Sequence, residues 1–316
     1  IQFEMSPLLP FSVTQINGIY SIPDVVITGW SSGEVTAHRL VDGRLHWSVN
    51  TSAPAYGIQG AIVKVASNST YSEILVPMET GVLSLDPATG EENWNVTFPN
   101  GARGYRHWPT YWLKGDLIWY AVGDEQGRMT YWNSSAPNAA TTFDFTIQSG
   151  EIRSQILALG GGELLIPIQS SAGSVLIHWA DGTILQQYSF QGSFGIMAHS
   201  QENIIIPTTH TTTWWKYDGE LEFIAELTDQ PVVGKAQALG SDLFALPINT
   251  EQGKIMVYRI NPANSSAELQ WTWSPQVSGY MMAGMGFDFS YNAITISNDA
   301  GRVEISINDA QKADGE

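Results

Sequence analysis

Short apolar runs recur along the chain about every 45 residues, each bounded by turn residues and too short to make a helix. They are VVITGW (25–30), EILVPME (73–79), LIWYAVGD (117–124), ELLIPIQ (163–169), NIIIPTT (203–209), LFALPIN (243–249) and AITISND (293–299). Four carry proline at one place, Pro77, Pro167, Pro207 and Pro247. A ladder hydrogen bond must be absent or bulged there, because proline has no N–H. Six are followed by a turn glycine: Gly33, Gly81, Gly127, Gly173, Gly253 and Gly301. After the turn comes a hairpin pattern, two alternating runs joined through Asp-Gly or Thr-Gly. It is clearest in VTAHRLVDGRLHW (35–47) and VLSLDPATGEENW (82–94), and looser at 175–188 and 214–223. Between units lies one more run with small residues, such as YGIQGAIVKVA (56–66) or GYMMAGMGF (279–287), suited to strands crowded around an axis.

Four strands per unit and seven units predict an all-β fold, a single seven-bladed β-propeller of four-stranded antiparallel blades spanning residues 1–316. Ring closure would remove the exposed sheet edges. No segment shows sustained helical periodicity with caps. The last blade is one strand short, because the chain after VEISI (303–307) turns into a polar tail, 308–316. At the other end Ile1, Phe3 and Met5 alternate with Gln2 and Glu4. That strand can close its own ring or add to the open edge of a neighbouring copy. A head-to-tail addition gives filaments unless its rotation closes.

Composition narrows the partners. Fourteen Lys and Arg against 31 Asp and Glu give a formal net charge of −17, which argues against nucleic acid. Hydrophobic residues make up 43% of the chain, enough for a large core. There is no cysteine, which excludes disulfides, thiolate metal sites and cysteine catalysis. No apolar stretch reaches the length of a membrane-spanning helix. The chain begins with Ile1 rather than Met, as a processed chain would. Five N-x-Ser/Thr sequons, at Asn50, Asn68, Asn95, Asn133 and Asn264, fall at the ends of apolar runs, where a glycan would project into water. The expectation is a secreted or cell-surface glycoprotein.

The segment with Asp86, Thr89, Gly90 and Trp94 resembles the repeat of pyrroloquinoline-quinone-type propellers, in which a strand ends in Asp-x-x-Thr-Gly-x-x-x-Trp; Gly43 and Trp47 mark a second copy. The resemblance covers the repeat architecture from about residue 11 to 307. It implies a propeller, and either a quinoprotein dehydrogenase or the non-enzymatic branch of outer-membrane assembly proteins. The vicinal cysteine pair often found in the dehydrogenases is absent, and their calcium ligands match no motif here. The non-enzymatic branch is therefore expected, with no cofactor and no metal.

Chemistry-bearing residues are few. The six histidines, His38, His46, His107, His178, His199 and His210, include no pair at metal-ligand spacing and read as strand residues. Asp124-Glu125 and Glu91-Glu92 fall in turns and read as solvated charge. Arg106, Arg153 and Lys235, with His107 beside the first, fall near the starts of three presumed inner strands and are the candidate lining of an anion-binding mouth. Residues that line a water-filled channel or pair with neighbouring acids would look the same. Trp47, Trp94, Trp179, Trp214 and Trp271 recur with the repeat and read as packing. Trp108, Trp112 and Trp119 stand outside it and offer either packing or a sugar-stacking surface. The reading is a non-catalytic structural or interaction module whose partner is protein, foremost other copies of itself. A receptor for a carbohydrate or anionic ligand is the alternative, and a quinoprotein-like enzyme the second.

Overall fold

The structure, a computed structural model, describes residues 10–16, 25–30, 32–39, 41–51, 59–65, 69–99, 102–104, 109–147, 150–274, 278–280, 286–288, 293–298 and 301–306. The expected strand at residues 1–5 and the tail 308–316 lie outside them. Among the described residues there is no α-helix; everything regular is antiparallel sheet apart from short 3-10 structure at Pro137–Ala139 and at Pro99. The chain divides into two compact units, residues 1–171 with 175–188, and residues 172–174 with 189–316.

The first unit holds four sheets, each four strands in chain order, except that residues 173–174 and 189–190 of the fourth belong to the second unit. They are β1 (Pro10–Ile16), β2 (Val25–Trp30), β3 (Glu34–Arg39) and β4 (Leu45–Asn50); then β5 (Gln59–Val65), β6 (Ser69–Met78), β7 (Gly81–Leu85) and β8 (Glu92–Thr97). The third sheet is β9 (Thr110–Lys114), β10 (Leu117–Gly123), β11 (Arg128–Asn133) and β12 (Thr141–Asp144), and the fourth is β13 (Leu157–Gly160), β14 (Glu163–Ser170), β15 (Gly173–Ala180) and β16 (Thr183–Phe190). The second unit holds β17 (Ala198–Ser200), β18 (Asn203–Pro207), β19 (Thr212–Tyr217) and β20 (Leu221–Thr228), then β21 (Gln237–Ala238), β22 (Leu243–Ile248), β23 (Lys254–Asn261) and β24 (Ser266–Trp273). Its last sheet has three described strands, β25 (Gly286–Asp288), β26 (Ala293–Asn298) and β27 (Gly301–Ser306). The four-stranded antiparallel unit read from the sequence is the unit of the fold.

The apolar runs are the second strands, and they are apolar throughout because both faces are covered. In β6, Ile74 and Val76 join the cluster containing Val25, Ile27 and Trp47 of the first sheet. Leu75, between them, packs with Ile118, Tyr120 and Trp132 of the third. Ile118, Tyr120 and Val122 face the second sheet, and Ala121 faces Leu164 and Ile166 of the fourth. In the second unit, Ile205 and Trp214 pack on Phe244, Leu246 and Tyr258 of the next sheet. Burying a large apolar side chain contributes about 1.5–3 kcal/mol, so these shared faces dominate stability.

The four prolines occupy one structural position. Each lies two residues beyond the last partner of the short first strand: Gln59 opposes Leu75, Leu157 opposes Leu165, Ala198 opposes Ile205 and Gln237 opposes Ala245. The missing N–H therefore falls where the first strand has already ended, and no ladder bond is lost. The Pro207 carbonyl still accepts from the Gly195 N–H at 2.9 Å.

A recurrent bulge lies between the third and fourth strands. Ala37 opposes Trp47 and His38 opposes Leu45, so His46 is extra. The same shift leaves Asn93, Ile224 and Gln270 unopposed in three other sheets. At the residue pair beside each bulge one partner is Trp: Ala37 with Trp47, Ser84 with Trp94, Trp214 with Ala225 and Val257 with Trp271. The tryptophan thus changes strand, which splits the repeat tryptophans into two sets that the sequence reading had placed together.

Trp47 shows what one of them does. Its indole N–H donates to the Pro87 carbonyl at 3.0 Å, and its ring covers Gly90. Gly90 has φ +75° in a turn where the Asp86 carboxylate accepts the Ala88 and Thr89 N–H groups. A Cβ on Gly90 would come 2.7 Å from the Trp47 ring, whereas Gly115, at φ +63°, has nothing within 4 Å. Gly115→Ala is expected to cost about 1 kcal/mol of backbone strain and Gly90→Ala about 2–4 kcal/mol, the difference being the clash with the ring. Denaturant unfolding of both variants measures this, and equal losses would remove the steric role given to Trp47.

Candidate functional site

The residues picked out for an anion-binding mouth are only partly visible. Arg106 and His107, with Trp108, lie outside the described residues. Arg153 precedes β13 by four residues rather than lying in it, is exposed, and pairs with Glu151. Lys235 precedes β21 by two residues, in a one-residue bridge to Ile196, with the neighbouring Ala236 N–H donating to the Ile196 carbonyl at 3.0 Å. Arg153 and Lys235 belong to different units. The first strands are shorter than the sequence suggested, which is why both cations fall upstream of them.

Of the proposed sugar-stacking tryptophans, Trp112 is buried and stacks on Trp119 with ring centroids 6.3 Å apart. Trp119 continues through Tyr131 to Trp179, so this is core. A more exposed aromatic group sits in the second unit, where Trp215 lies between Phe190 (5.8 Å) and Phe223 (5.5 Å). Phe223 is 52% exposed, and the Trp215 indole N–H is held by the Thr213 hydroxyl at 2.8 Å.

The turn carboxylate Asp124 departs from the solvated reading. It is fully buried and accepts the Gln126 and Arg128 N–H groups, while Arg128 also closes on it through its guanidinium at 2.9 Å. The same guanidinium donates to the Pro99 carbonyl at 3.2 Å. Its neighbour Glu125 stays half-buried, and Glu91 and Glu92 are exposed.

The sequence reading missed a second polar device. Glu73, Glu163 and Asn203 each stand four residues before a proline, at the start of a second strand's buried run. Each meets a third-strand donor: Ser84 Oγ donates to Glu73, His178 Nε2 lies 2.6 Å from Glu163 Oε2, and Trp214 Nε1 donates to Asn203 Oδ1 at 3.0 Å. Glu73 also receives the Tyr120 hydroxyl from the next sheet. A polar residue four before proline was the available signal. These pairs satisfy polar atoms inside apolar surroundings and hold strands together. Among the described residues no group of three or more His, Asp or Glu gathers as metal ligands would.

The sequons sit at sheet margins. Asn50 ends β4, Asn95 lies within β8, Asn133 ends β11, and Asn264 lies in the turn between β23 and β24. Asn68 lies outside the described residues. Asn50, Asn95 and Asn264 are exposed, Asn133 half so. Near Asn264 an open recess of about 320 Å³ is lined by Asp242, Arg259, Asn261, Ser266 and Glu268, in which Arg259 and Asp242 approach to 3.5 Å. Cation and anion compensate one another there.

No family model and no curated protein sequence matches the chain. Solved structures do. BamB from Moraxella catarrhalis is 15% identical with a TM-score of 0.63, over 94% of this chain and 82% of that one. BBS1N, solved in complex with ARL6DN, is 10% identical with a TM-score of 0.67, over 96% and 93%. The Dos1 propeller is 13% identical with a TM-score of 0.64, over 89% and 74%. The fold is a β-propeller. At such identities the likeness speaks for the architecture and for nothing chemical. Among the described residues no helix is long and apolar enough to cross a membrane.

Lys235 offers a direct probe of the anion mouth. Burial holds its ammonium below the usual lysine value of 10.5. With the folded value lowered, the unfolded chain binds the extra proton between the two values, so stability rises with pH across that window. Below it both states are charged, and the desolvation cost is present in full. The parent is therefore expected to gain stability relative to Lys235→Met as pH rises toward 10.5. Paired melts across that range check this. A difference that stays flat or falls as pH rises would contradict the lowered value and point to an anion at the ammonium.

Proposed function

We propose that this chain is a non-catalytic β-propeller of the cell exterior, seven-bladed and N-glycosylated, that works as an interaction module whose first partner is another copy of itself. The observation that carries the reading is that the last sheet has three strands among the described residues. Six sheets have four strands, whereas β25, β26 and β27 are three, leaving β27 at the margin among the described residues. A strand margin with free N–H and C=O groups is a template for one more strand. The alternating segment Ile1, Phe3 and Met5 matches that need in length and pattern.

Four of the other outer margins are poor sites for strand addition. Bulges in the fourth strands β4, β8, β20 and β24 twist their edges away from added strands. Glycans at Asn50 and Asn95 would stand on two of those strands. BBS1N, a structural neighbour, was solved in complex with another protein, in keeping with a propeller used as a binding scaffold.

Deleting residues 1–5 and, separately, 308–316, followed by light scattering and electron microscopy, tests this. The full chain is expected to form ordered homopolymers, the first deletion to leave monomers, and the second to assemble normally. A full chain that stays monomeric at high concentration, or deletions that both assemble like the parent, would overturn it. Peptide maps of protein from its native source test the glycoprotein reading separately, and five bare asparagines would defeat it.

A further inference from the structure

The sequons differ in how the fold presents them. Asn264 lies in the exposed turn of residues 261–266, where its N–H reaches the Asn261 carbonyl at only 3.3 Å and Ser265 adopts φ +53°. Within that sequon the Ser266 hydroxyl donates to the Asn264 carboxamide oxygen at 2.6 Å. The two side chains a glycosyltransferase must read are thus already on one side of the turn. Asn133 is intermediate: its carboxamide oxygen accepts the Ser135 N–H at 3.1 Å and hydroxyl at 2.7 Å, but it opposes Trp119 at the end of the ladder.

Asn95 is the opposite case. Its side chain is exposed, yet its backbone opposes Leu83 in the middle of β8, between buried Trp94 and Val96. Trp94 packs on Tyr120 and Trp132 of the next sheet, with centroids 5.2 and 5.5 Å away. Seating Asn95 in an enzyme cleft means peeling β8 off β7 and pulling that tryptophan from its core. A turn tip needs only local opening, and enzymes that grip a chain segment act preferentially at such tips.

We propose that Asn264 is an N-glycosylation acceptor of the folded chain, whereas Asn95 accepts a glycan only before its sheet has formed. This rests on the reading of the chain as an exported glycoprotein. In the transfer, Nδ2 of Asn264 bonds to the anomeric carbon of a lipid-phosphate-linked sugar. The bond from that carbon to the phosphate oxygen breaks, the lipid phosphate leaves with the electron pair, and one amide proton passes to a base of the transferase. Asn264 thus marks protein glycosylated after folding, and Asn95 protein glycosylated during synthesis.

The test uses the full chain made without glycans and folded, a purified oligosaccharyltransferase and its lipid-linked oligosaccharide, with synthetic peptides spanning each sequon as unfolded references. Site occupancy is followed by mass spectrometry. Asn264 in the folded chain is expected to react within about threefold of its peptide, and Asn95 at least about tenfold slower than its own, reflecting the opening that β8 requires. Asn95 reacting in the folded chain as fast as in its peptide would overturn the inference. So would an unmodified Asn264 in a folded chain whose peptide is modified. Because both arms run on purified components, a native protein found bare at all sites would defeat the exported-glycoprotein reading while leaving this result to stand or fall by itself.

Discussion

Each described sheet in the body of the chain is organised around a second strand that must be buried on both faces. In β6 the residues from Glu73 to Met78 are all buried, with successive side chains claimed by the sheets on either side. A strand so placed has no polar face, so it reads as a continuous apolar run. The polar groups it does contain must find partners inside the protein. Glu73, Glu163 and Asn203 do so, each against a donor on the third strand. The prolines fit because the first strand stops two residues short of them. Stacking one two-sided strand after another leaves the chemistry of the surface to turns and outer strands.

That division bears on function. Among the described residues, buried carboxylates are held by specific partners, Asp124 by Arg128 and Glu73 by the Ser84 and Tyr120 hydroxyls. The outer strands carry bulges and exposed apolar residues such as Leu45, Phe223 and Leu269, each beside a bulge. Bulged edges are poor templates for another strand, and β4, β8, β20 and β24 carry them; the proposed strand addition uses the margin of the sheet with three described strands. On the proposed reading, this gives the chain one directional joint.

The repeat was legible because two-sided burial writes itself into the sequence: seven apolar runs, four with proline at one position, turn glycines after them, and Asp-Gly hairpins. The repeat tryptophans were legible as packing but not as two sets, because Trp214 fills from the third strand what Trp47 and Trp94 fill from the fourth. The bulges left no trace, since outer strands alternate loosely and one added residue changes no apolar run. Asp124 was misread as solvated because its partner Arg128 and the receiving Pro99 carbonyl become neighbours only after the turn forms. Glu73 was invisible for a similar reason: Tyr120, which donates to it, lies 47 residues away. The candidate mouth depended on long first strands, and the observed ones are too short to carry Arg153 and Lys235.

The central claim is that the missing strand of the last sheet comes from another copy of the chain. The natural sequence has no cysteine, so engineered ones report without background. One chain would carry a single cysteine within residues 1–5, a second a single cysteine within Gly301–Ser306, and a third both. Mixing the first two under mild oxidation should give a covalent heterodimer, and the third should give a ladder of covalent multimers. A doubly substituted chain that closes only on itself, with no dimer from the mixed singles, would show that the strand completes its own sheet and would contradict the account.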